Sequence, residues 1–389
     1  MTREKTLRYD FLMAAAILLL LMLGLVILYS ASFLFASNQP SRFGNGWGPI
    51  SSNLSAVLIM LLLFPILSLI NLEWFKKGWV ISLIVLFTIL VNLLPFLPFF
   101  QKENHRPGID AMRWIFFKIP GQRAMSFQPS ELIKVTLPLY LSYILNKNRD
   151  RLDKFVYGPL PPVVITGFFC LLVLRQSNFS EAALIIMIGL AICFIAGIRL
   201  RWFVLALLLL APITYQLTVG DPEGRWYQRI QSFLSNAPDQ HGEKYQSDLS
   251  LEAIKSGGFW GKGIGQGSLK VRMPEVHGDF VFASFVEESG FMGVFFYIVL
   301  VGFFTWIGFT VAWRSDDRYY QLLAFGLVMP IVTQTLLNIA VVAKIVPTTG
   351  VPLPFVSSGG SSLLVTLISA ALLLNVTRRY VRMEVKYAG

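Results

Sequence analysis

Ten long apolar runs constrain this chain more than any other feature. They fall at roughly 11–36, 54–71, 78–100, 129–146, 160–176, 181–198, 202–219, 281–312, 321–345 and 361–377. Most approach or exceed the roughly 20 apolar residues a helix needs to cross a bilayer. They are continuous, whereas the strands of a membrane β-barrel alternate apolar and polar residues. In lipid each backbone polar group must be bonded within its own segment, so continuous runs imply helices. The chain therefore reads as an all-α polytopic membrane protein, a bundle of ten transmembrane helices. Composition agrees: 55% of residues are hydrophobic and 14% charged, against about 45–50% and 25% in soluble domains.

The net charge is +11. In a soluble protein that excess would suggest nucleic acid; here it lies mostly in short connections between runs, and no nucleic-acid partner is expected. One set of alternate connections holds Arg3, Lys5 and Arg8; Lys76 and Lys77; Lys147, Arg149, Arg151 and Lys154; Arg199 and Arg201; Arg314 and Arg318; and Arg378, Arg379, Arg382 and Lys386. All share one side if there are ten spans. Basic short loops face the cytoplasm, so both termini are predicted to be cytoplasmic. The first run is too long for a cleaved signal peptide and reads as a retained span. Cys170 and Cys193 lie inside apolar runs and read as small core residues with no disulfide or metal role. With no internal repeat or low-complexity tail, residues 1–389 read as one domain.

The opposite side carries two long connections. Residues 101–128 hold Lys102, Arg106, Arg113, Lys118 and Arg123, against the positive-inside bias. They form either a solvated surface or a cationic lining for a phosphate-bearing substrate. Residues 220–280 are the longest polar stretch and the expected extracytoplasmic loop between spans seven and eight. They include Arg225-Trp-Tyr-Gln-Arg229, Asn236-Ala-Pro-Asp-Gln-His-Gly242 and the glycine-rich 256–267. That glycine run is no P-loop: no strand precedes it, and Gly263 rather than Ser or Thr follows Lys262.

Three stretches could carry chemistry. Phe127-Gln-Pro-Ser-Glu-Leu-Ile-Lys134 opens the fourth run. Its Pro129, Ser130 and Glu131 are ordinary helix-start signals, but Glu131 and Lys134 also stand at i and i+3 on one face, where opposite charges satisfy each other. They either position a substrate group or brace the helix. Met273–Gly290 places Glu275, His277, Asp279, Glu287 and Glu288 where the long loop enters the eighth run. The plain reading is a run of acids at a wet helix entrance. The functional one makes Asp279 a general base, with Glu287 or Glu288 partnering a Lys or Arg; a lone loop His277 is more often a bystander than a proton shuttle. An ionisable residue inside a membrane is by default a functional candidate. Pro347–Ser362 has too many prolines and glycines for a regular helix yet is too apolar for a solvated loop. It reads either as a kinked connection or as the wall of a cavity, the setting in which non-helical backbone is tolerated at membrane depth. Asn338 and Lys344 would face the same cavity.

Together these stretches resemble the SEDS family (shape, elongation, division and sporulation), the FtsW, RodA and SpoVE proteins. The resemblance runs through Tyr29-Ser-Ala-Ser32, Arg113-Trp114, the Gln-Pro-Ser-Glu-Leu-Ile-Lys134 stretch, the glycines between 257 and 265, Pro274-Glu-Val-His-Gly-Asp-Phe-Val-Phe282, Glu287-Glu-Ser-Gly290 and Leu353-Pro-Phe-Val-Ser-Ser-Gly-Gly-Ser-Ser362. Lys270 and Tyr29–Ser32 look more like the division and sporulation branch than the elongation branch. The chain departs from the family at Asn178, within Gln176-Ser-Asn-Phe-Ser-Glu181, where an acid is usual; Glu181 is the nearby acid able to substitute. Gly278, Ser358 and Met112 also replace the commoner Thr, Tyr and Arg.

The resemblance implies ten spans in the bacterial cytoplasmic membrane and peptidoglycan glycosyltransferase activity for division or cell shape. The substrate would be lipid II, a disaccharide-pentapeptide on undecaprenyl pyrophosphate, polymerised at the outer face. Partners would be a class B penicillin-binding protein and other divisome or elongasome membrane proteins. No organic cofactor is implied; a divalent cation, Mg or Mn, is compatible. The family's essential acid falls on Asp279. Supporting or pyrophosphate-binding roles would fall on Glu131, Lys134, Arg113, Lys270, His277, Glu288, Ser357 and Ser358. A precursor flippase is the alternative, since broken helices and charges at midplane suit transport as well.

Overall fold

The computed structural model describes residues 3–38, 47–97, 113–117, 125–206, 225–234, 243–269 and 278–388, with a few isolated positions besides. Lys270 and His277 lie outside the described residues, as do Lys102, Arg106, Lys118, Arg123, Glu275, Asn236–Gly242 and most of the seventh run. Helices follow the other nine runs: α1 (Arg3–Asn38), α2 (Trp47–Leu69), α3 (Gly78–Leu93), α4 (Ile133–Lys147), α5 (Leu160–Arg175), α6 (Phe179–Ile195), then α9 (Val281–Arg314), α10 (Arg318–Val342) and α11 (Gly360–Ala388). Two polar helices, α7 (Arg225–Leu234) and α8 (Glu243–Gly257), belong to the long loop. Five helical stretches, in α1, α3, α9, α10 and α11, are long and apolar enough to cross a membrane.

The helices α1 to α6 alternate in direction, as do α9 to α11, while α6 and α9 both end at the same end of the bundle; side-chain contacts mark the two ends. At the basic end, Lys76 pairs with Asp317 and with Glu73, Arg379 pairs with Glu73 at 2.9 Å, and Arg199 pairs with Asp153 at 2.6 Å. Asn375 of α11 donates to the Leu67 and Ile70 carbonyls that close α2, and Arg318 donates to the Ala196 carbonyl that ends α6. The connections that carry the alternate-loop basic residues thus meet at one end, as their charge pattern predicts. At the other end, Asn92 of α3 donates to the Pro129 carbonyl ahead of α4 (3.1 Å), and Gln176 beyond α5 donates to the Asn92 carbonyl (3.0 Å).

The buried apolar core forms two clusters. The larger joins α1, α9, α10 and α11; the smaller is built mainly from α4, α5 and α6. Apolar side chains also cover the outside of the bundle, among them Leu62, Leu83, Phe87, Leu171 and Phe296, as suits a lipid-facing surface. Pro65, Pro138 and Pro330 sit inside helices, where neighbouring helices can satisfy the freed carbonyls.

Four sequence expectations need revision. The eighth run is not one rod: α9 breaks at Gly290 (φ 63, ψ −164). The 101–128 connection contains β structure, a short antiparallel hairpin of β1 (Ile115–Phe117) and β2 (Met125–Phe127), with Ile115 opposite Phe127. The fourth run opens as a 3-10 turn over Pro129–Leu132 before α4 begins. Lys344 is not inside a span: α10 ends at Val342, Lys344 turns out with φ 55, and its ammonium meets Asp248 of α8 at 2.5 Å.

Candidate active site

Asp279 occupies the turn that leads into α9, at the end of the bundle opposite the basic connections, and is half-buried. Its backbone is held by side chains from two other segments. Asn338 of α10 donates one amide hydrogen to the Asp279 carbonyl and the other to the Val351 carbonyl, both at 2.9 Å. The Ser357 hydroxyl donates to the Gly278 carbonyl at 2.8 Å and accepts from the Leu353 N–H at 2.7 Å. The peptide on either side of the Asp279 Cα is therefore fixed. A Cβ placed on Gly350 would lie 3.4 Å from Asp279 Oδ2, so the carboxylate rests against the proline- and glycine-rich segment predicted to be a wall. That segment is non-helical, with Phe355 at φ 65. It is pressed against α1, where a Cβ on Gly24 would overlap the Phe355 carbonyl oxygen at 2.1 Å. Ser358 follows, half-buried.

The break in α9 is bonded by the glycine-rich loop. In an unbroken helix the N–H groups of Phe291 and Met292 would reach the carbonyls of Glu287 and Glu288. Here they bond Gly258 O (3.0 Å) and Phe259 O (3.2 Å) instead. The vacated carbonyls accept from Lys262 N (3.0 Å) and Gly263 N (2.9 Å). These four backbone groups all keep partners, as breaking a helix in an apolar setting requires. The exchange needs backbone close to backbone: a Cβ on Gly261, itself at φ 78, would lie 2.2 Å from Glu288 O and 2.6 Å from Gly290 N.

Side chains lock the same joint. Glu287 is fully buried and accepts from Lys262 Nζ (2.6 Å), Ser268 N (3.0 Å), Ser268 Oγ (3.2 Å) and Leu269 N (3.1 Å). A buried carboxylate is tolerated only when paired and hydrogen-bonded in this way. Glu288 accepts from the Ser30 hydroxyl of α1. Of the two acids, Glu287 has the expected lysine partner. Which lysine would pair was not legible from the sequence; the signal was a cluster of glycines ahead of two acids in an apolar run.

A second charged group is buried between α4 and α6. Lys134 Nζ stands 2.5 Å from Glu131 Oε2 and 3.2 Å from Glu181 Oε1, and all three side chains are at most 3% exposed. Ser362, in the first turn of α11, lies near Glu131. Asn178 caps α6, its side chain accepting from the Glu181 N–H at 3.4 Å. Arg113, just before β1, donates to the Ser177 carbonyl at 2.6 Å. Asp279, Ser357 and Ser358 therefore share one neighbourhood, and Glu131, Lys134 and Glu181 a second, with α11 leading from the loop of the first to the Ser362 of the second.

The comparisons with known proteins agree with each other. A family model described as a cell cycle protein, FtsW/RodA/SpoVE, matches residues 10–381. The chain is 34% identical over 405 residues to the probable peptidoglycan glycosyltransferase FtsW of Bacillus subtilis, across 98% of this chain and 92% of that one. It is 32% identical over 365 residues to the protein of the same name from Borreliella burgdorferi (93% and 94%). To the stage V sporulation protein E of Bacillus subtilis it is 30% identical over 380 residues (97% and 99%). Among solved structures it resembles one described as "Structural coordination of polymerization and crosslinking by a peptidoglycan synthase complex", with TM-score 0.73, 24% identity and coverage of 96% and 97%. It also resembles the Thermus thermophilus rod shape determining protein RodA, with TM-score 0.64, 24% identity and 95% of each chain. With its apolar helices, this likeness makes the chain a polytopic helical membrane protein.

Proposed function

The chain belongs to the FtsW/RodA/SpoVE family of cell cycle proteins, and from that premise we infer that it is a peptidoglycan glycosyltransferase of the cell membrane, polymerising lipid II at the outer face. Residues 1–389 act as one membrane domain. Ten spans and two cytoplasmic termini follow if the seventh run crosses like its neighbours; the shared direction of α6 and α9, which calls for a crossing between them, and the gathering of basic connections at one end support this. The long loop between spans seven and eight is then extracytoplasmic.

One observation carries the catalytic assignment. Asp279 sits at the end away from the basic loops, and both its flanking peptides are clamped by Asn338 and Ser357. In the proposed reaction, the acceptor sugar's 4-hydroxyl attacks the anomeric carbon of the donor. Its proton passes to the Asp279 carboxylate as the new C–O bond forms. The bond from that carbon to the pyrophosphate oxygen breaks, and undecaprenyl pyrophosphate leaves with the electron pair. A positioned base contributes about 10²- to 10⁴-fold, and the leaving group needs charge stabilisation more than a proton. Arg113 and Lys270 are assigned to the pyrophosphate. Glu131, Lys134, Glu288, Ser357 and Ser358 support the site, and His277, next to Gly278, is the candidate proton relay.

A metal is a separate matter. Among the described residues, no group of three or more His, Cys, Asp or Glu side chains is arranged to hold an ion, and Glu131 and Glu181 are already engaged by Lys134. The described residues do not fit a preformed metal centre, and no step is assigned to one. A Mg or Mn ion would enter with the substrate's own phosphates. The partner is a class B penicillin-binding protein alongside other division or elongation membrane proteins. The synthase complex that this chain resembles, described as coordinating polymerization and crosslinking, supports that pairing.

The test is glycan strand formation from lipid II by the purified full-length chain with its transpeptidase. Asp279→Asn keeps the shape and removes the base. Polymerisation should fall by about 10²-fold or more; an Asp279→Asn enzyme running at the wild-type rate would refute the assignment.

A further inference from the structure

The glycine-rich loop that bonds the break in α9 also carries large apolar side chains that the bundle leaves uncovered. Trp260 is 75% exposed, Ile264 70% and Phe259 53%. A cluster of this kind on a polar loop marks a surface that something apolar covers. Its surroundings identify the cover. The Phe259 ring stacks on Phe291 with centroids 5.6 Å apart, and Phe291 on Phe295 at 6.4 Å. Phe291 and Phe295 stand at i and i+4 on one face of α9, both exposed, with Phe296 beside them. The loop patch is thus continuous with the lipid-facing side of a span.

Depth points the same way. From Phe291 to Arg314, where α9 ends among the basic connections, the helix rises about 35 Å at about 1.5 Å per residue. That slightly exceeds the roughly 30 Å hydrocarbon core of a bilayer. Trp313, beside Arg314 and 83% exposed, stands at one boundary, and Trp260 at the other. Tryptophan favours both boundaries because its ring is apolar and its N–H polar. Lys255, exposed one turn before Phe259 in the chain, adds a cation for an anionic headgroup to meet.

We propose that Phe259, Trp260 and Ile264 insert at the headgroup–acyl boundary of the leaflet away from the basic connections, a lipid anchor for the loop that bonds the broken α9. The contact holds Gly258–Gly263 where its backbone meets that of α9 on both sides of the break, so the bilayer itself braces the half-helix that begins beside Asp279. The inference rests on the topology proposed above and on no step of the glycosyl transfer.

The experiment reads the lipid contact without turnover, so its outcome and that of the polymerase assay are independent. The full-length chain is placed in phosphatidylcholine–phosphatidylglycerol nanodiscs whose acyl chains carry bromine near either the carbonyl or the methyl end. The chain has nine tryptophans, so Trp260 emission is taken as the difference between wild type and Trp260→Phe. Support is Trp260 emission quenched at least twofold by bromine near the carbonyl end, less by bromine near the methyl end, and shielded from aqueous iodide. Ile264→Trp in the Trp260→Phe protein moves the reporter within the patch and should give the same order. Emission open to iodide and unmoved by brominated lipid would show a solvated loop and overturn the anchor. So would quenching strongest at the methyl end, or shielding from both quenchers, which would place a second copy or another protein over the patch.

Discussion

The joint between the glycine-rich loop and the broken helix allows a quantitative test. Gly261→Ala adds one methyl at φ 78, where its Cβ would lie 2.2 Å from Glu288 O, 2.5 Å from Glu288 C and 2.6 Å from Gly290 N. Every one of these is a backbone atom, so no flexible side chain can yield. The left-handed conformation alone costs a non-glycine residue about 1–2 kcal/mol. Relieving the overlap must also move the loop off the carbonyls of Glu287 and Glu288. That breaks the bonds from Lys262 N and Gly263 N, and each buried carbonyl left unsatisfied costs about 1–3 kcal/mol. The sum is about 3–8 kcal/mol. Gly265→Ala is the control: φ is 85, but an added Cβ meets nothing within 4 Å, so only the about 1–2 kcal/mol of backbone strain applies. Unfolding of both variants in mixed detergent micelles, followed by tryptophan fluorescence, should place Gly261→Ala at least about 2 kcal/mol below Gly265→Ala, the gap set by the lost carbonyl bonds. Polymerisation should fail in Gly261→Ala and persist in Gly265→Ala. Equal stabilities would mean that the loop does not bond the break, and the account of how α9 is interrupted would be wrong.

Two further predictions concern the two ends of the bundle. Ser30→Ala removes a buried hydroxyl that bonds Glu288; a loss of about 1–3 kcal/mol is expected, read in the same unfolding assay, and an unchanged midpoint would show that Glu288 is held by other groups. At the basic end, partial burial raises the Glu73 carboxyl, but the Tyr320 hydroxyl, Lys76 and Arg379 outweigh it and hold the group below its ordinary value of 4.5. A depressed carboxyl stabilises the fold above its unfolded pKa and loses that contribution as pH falls through the folded value. Wild-type protein should therefore lose more thermal stability than Glu73→Gln on acidification from pH 5 to pH 3, windows chosen around a carboxylate pKa of roughly 4.3. The difference should be small because the side chain is 44% exposed and screened by solvent; parallel curves would exclude the network.

What the sequence made legible was whatever depends on local pattern. Continuous apolar runs located nine of the helices, because hydropathy and helix length act within a segment. Alternating basic loops foretold the end where Lys76, Asp317 and Arg379 meet. Pro347–Ser362 announced itself as non-helical because its prolines and glycines cannot do otherwise. Lys344 was misread for the same local reason: the apolar run continues past Val342, although the chain there turns out to meet Asp248. The features that build the site are of another kind. Gly290 sits in an apolar run that could continue as helix; its break exists because Gly258, Lys262 and Gly263, about thirty residues earlier, offer replacement partners. Glu181 looks like a first-turn acid of α6, and nothing nearby in sequence points to Lys134.

Both cases share a physical logic. A polar group inside an apolar bundle must find a partner, and when local neighbours are used up the partner comes from a distant segment. Interrupting α9 sets Val281–Ser289 apart as a short half-helix whose two ends are held independently. The glycine-rich loop fixes one end; Asn338 and Ser357 fix the other, at Asp279. A continuous helix would tie the orientation of Asp279 to the packing of the whole 34-residue α9. The break makes it depend instead on the loops at the end of the bundle away from the basic connections, the end proposed to meet the acceptor sugar. That arrangement lets the carboxylates deepest in the half-helix, Glu287 and Glu288, be structural and leaves the half-buried one at its start available for the proposed chemistry.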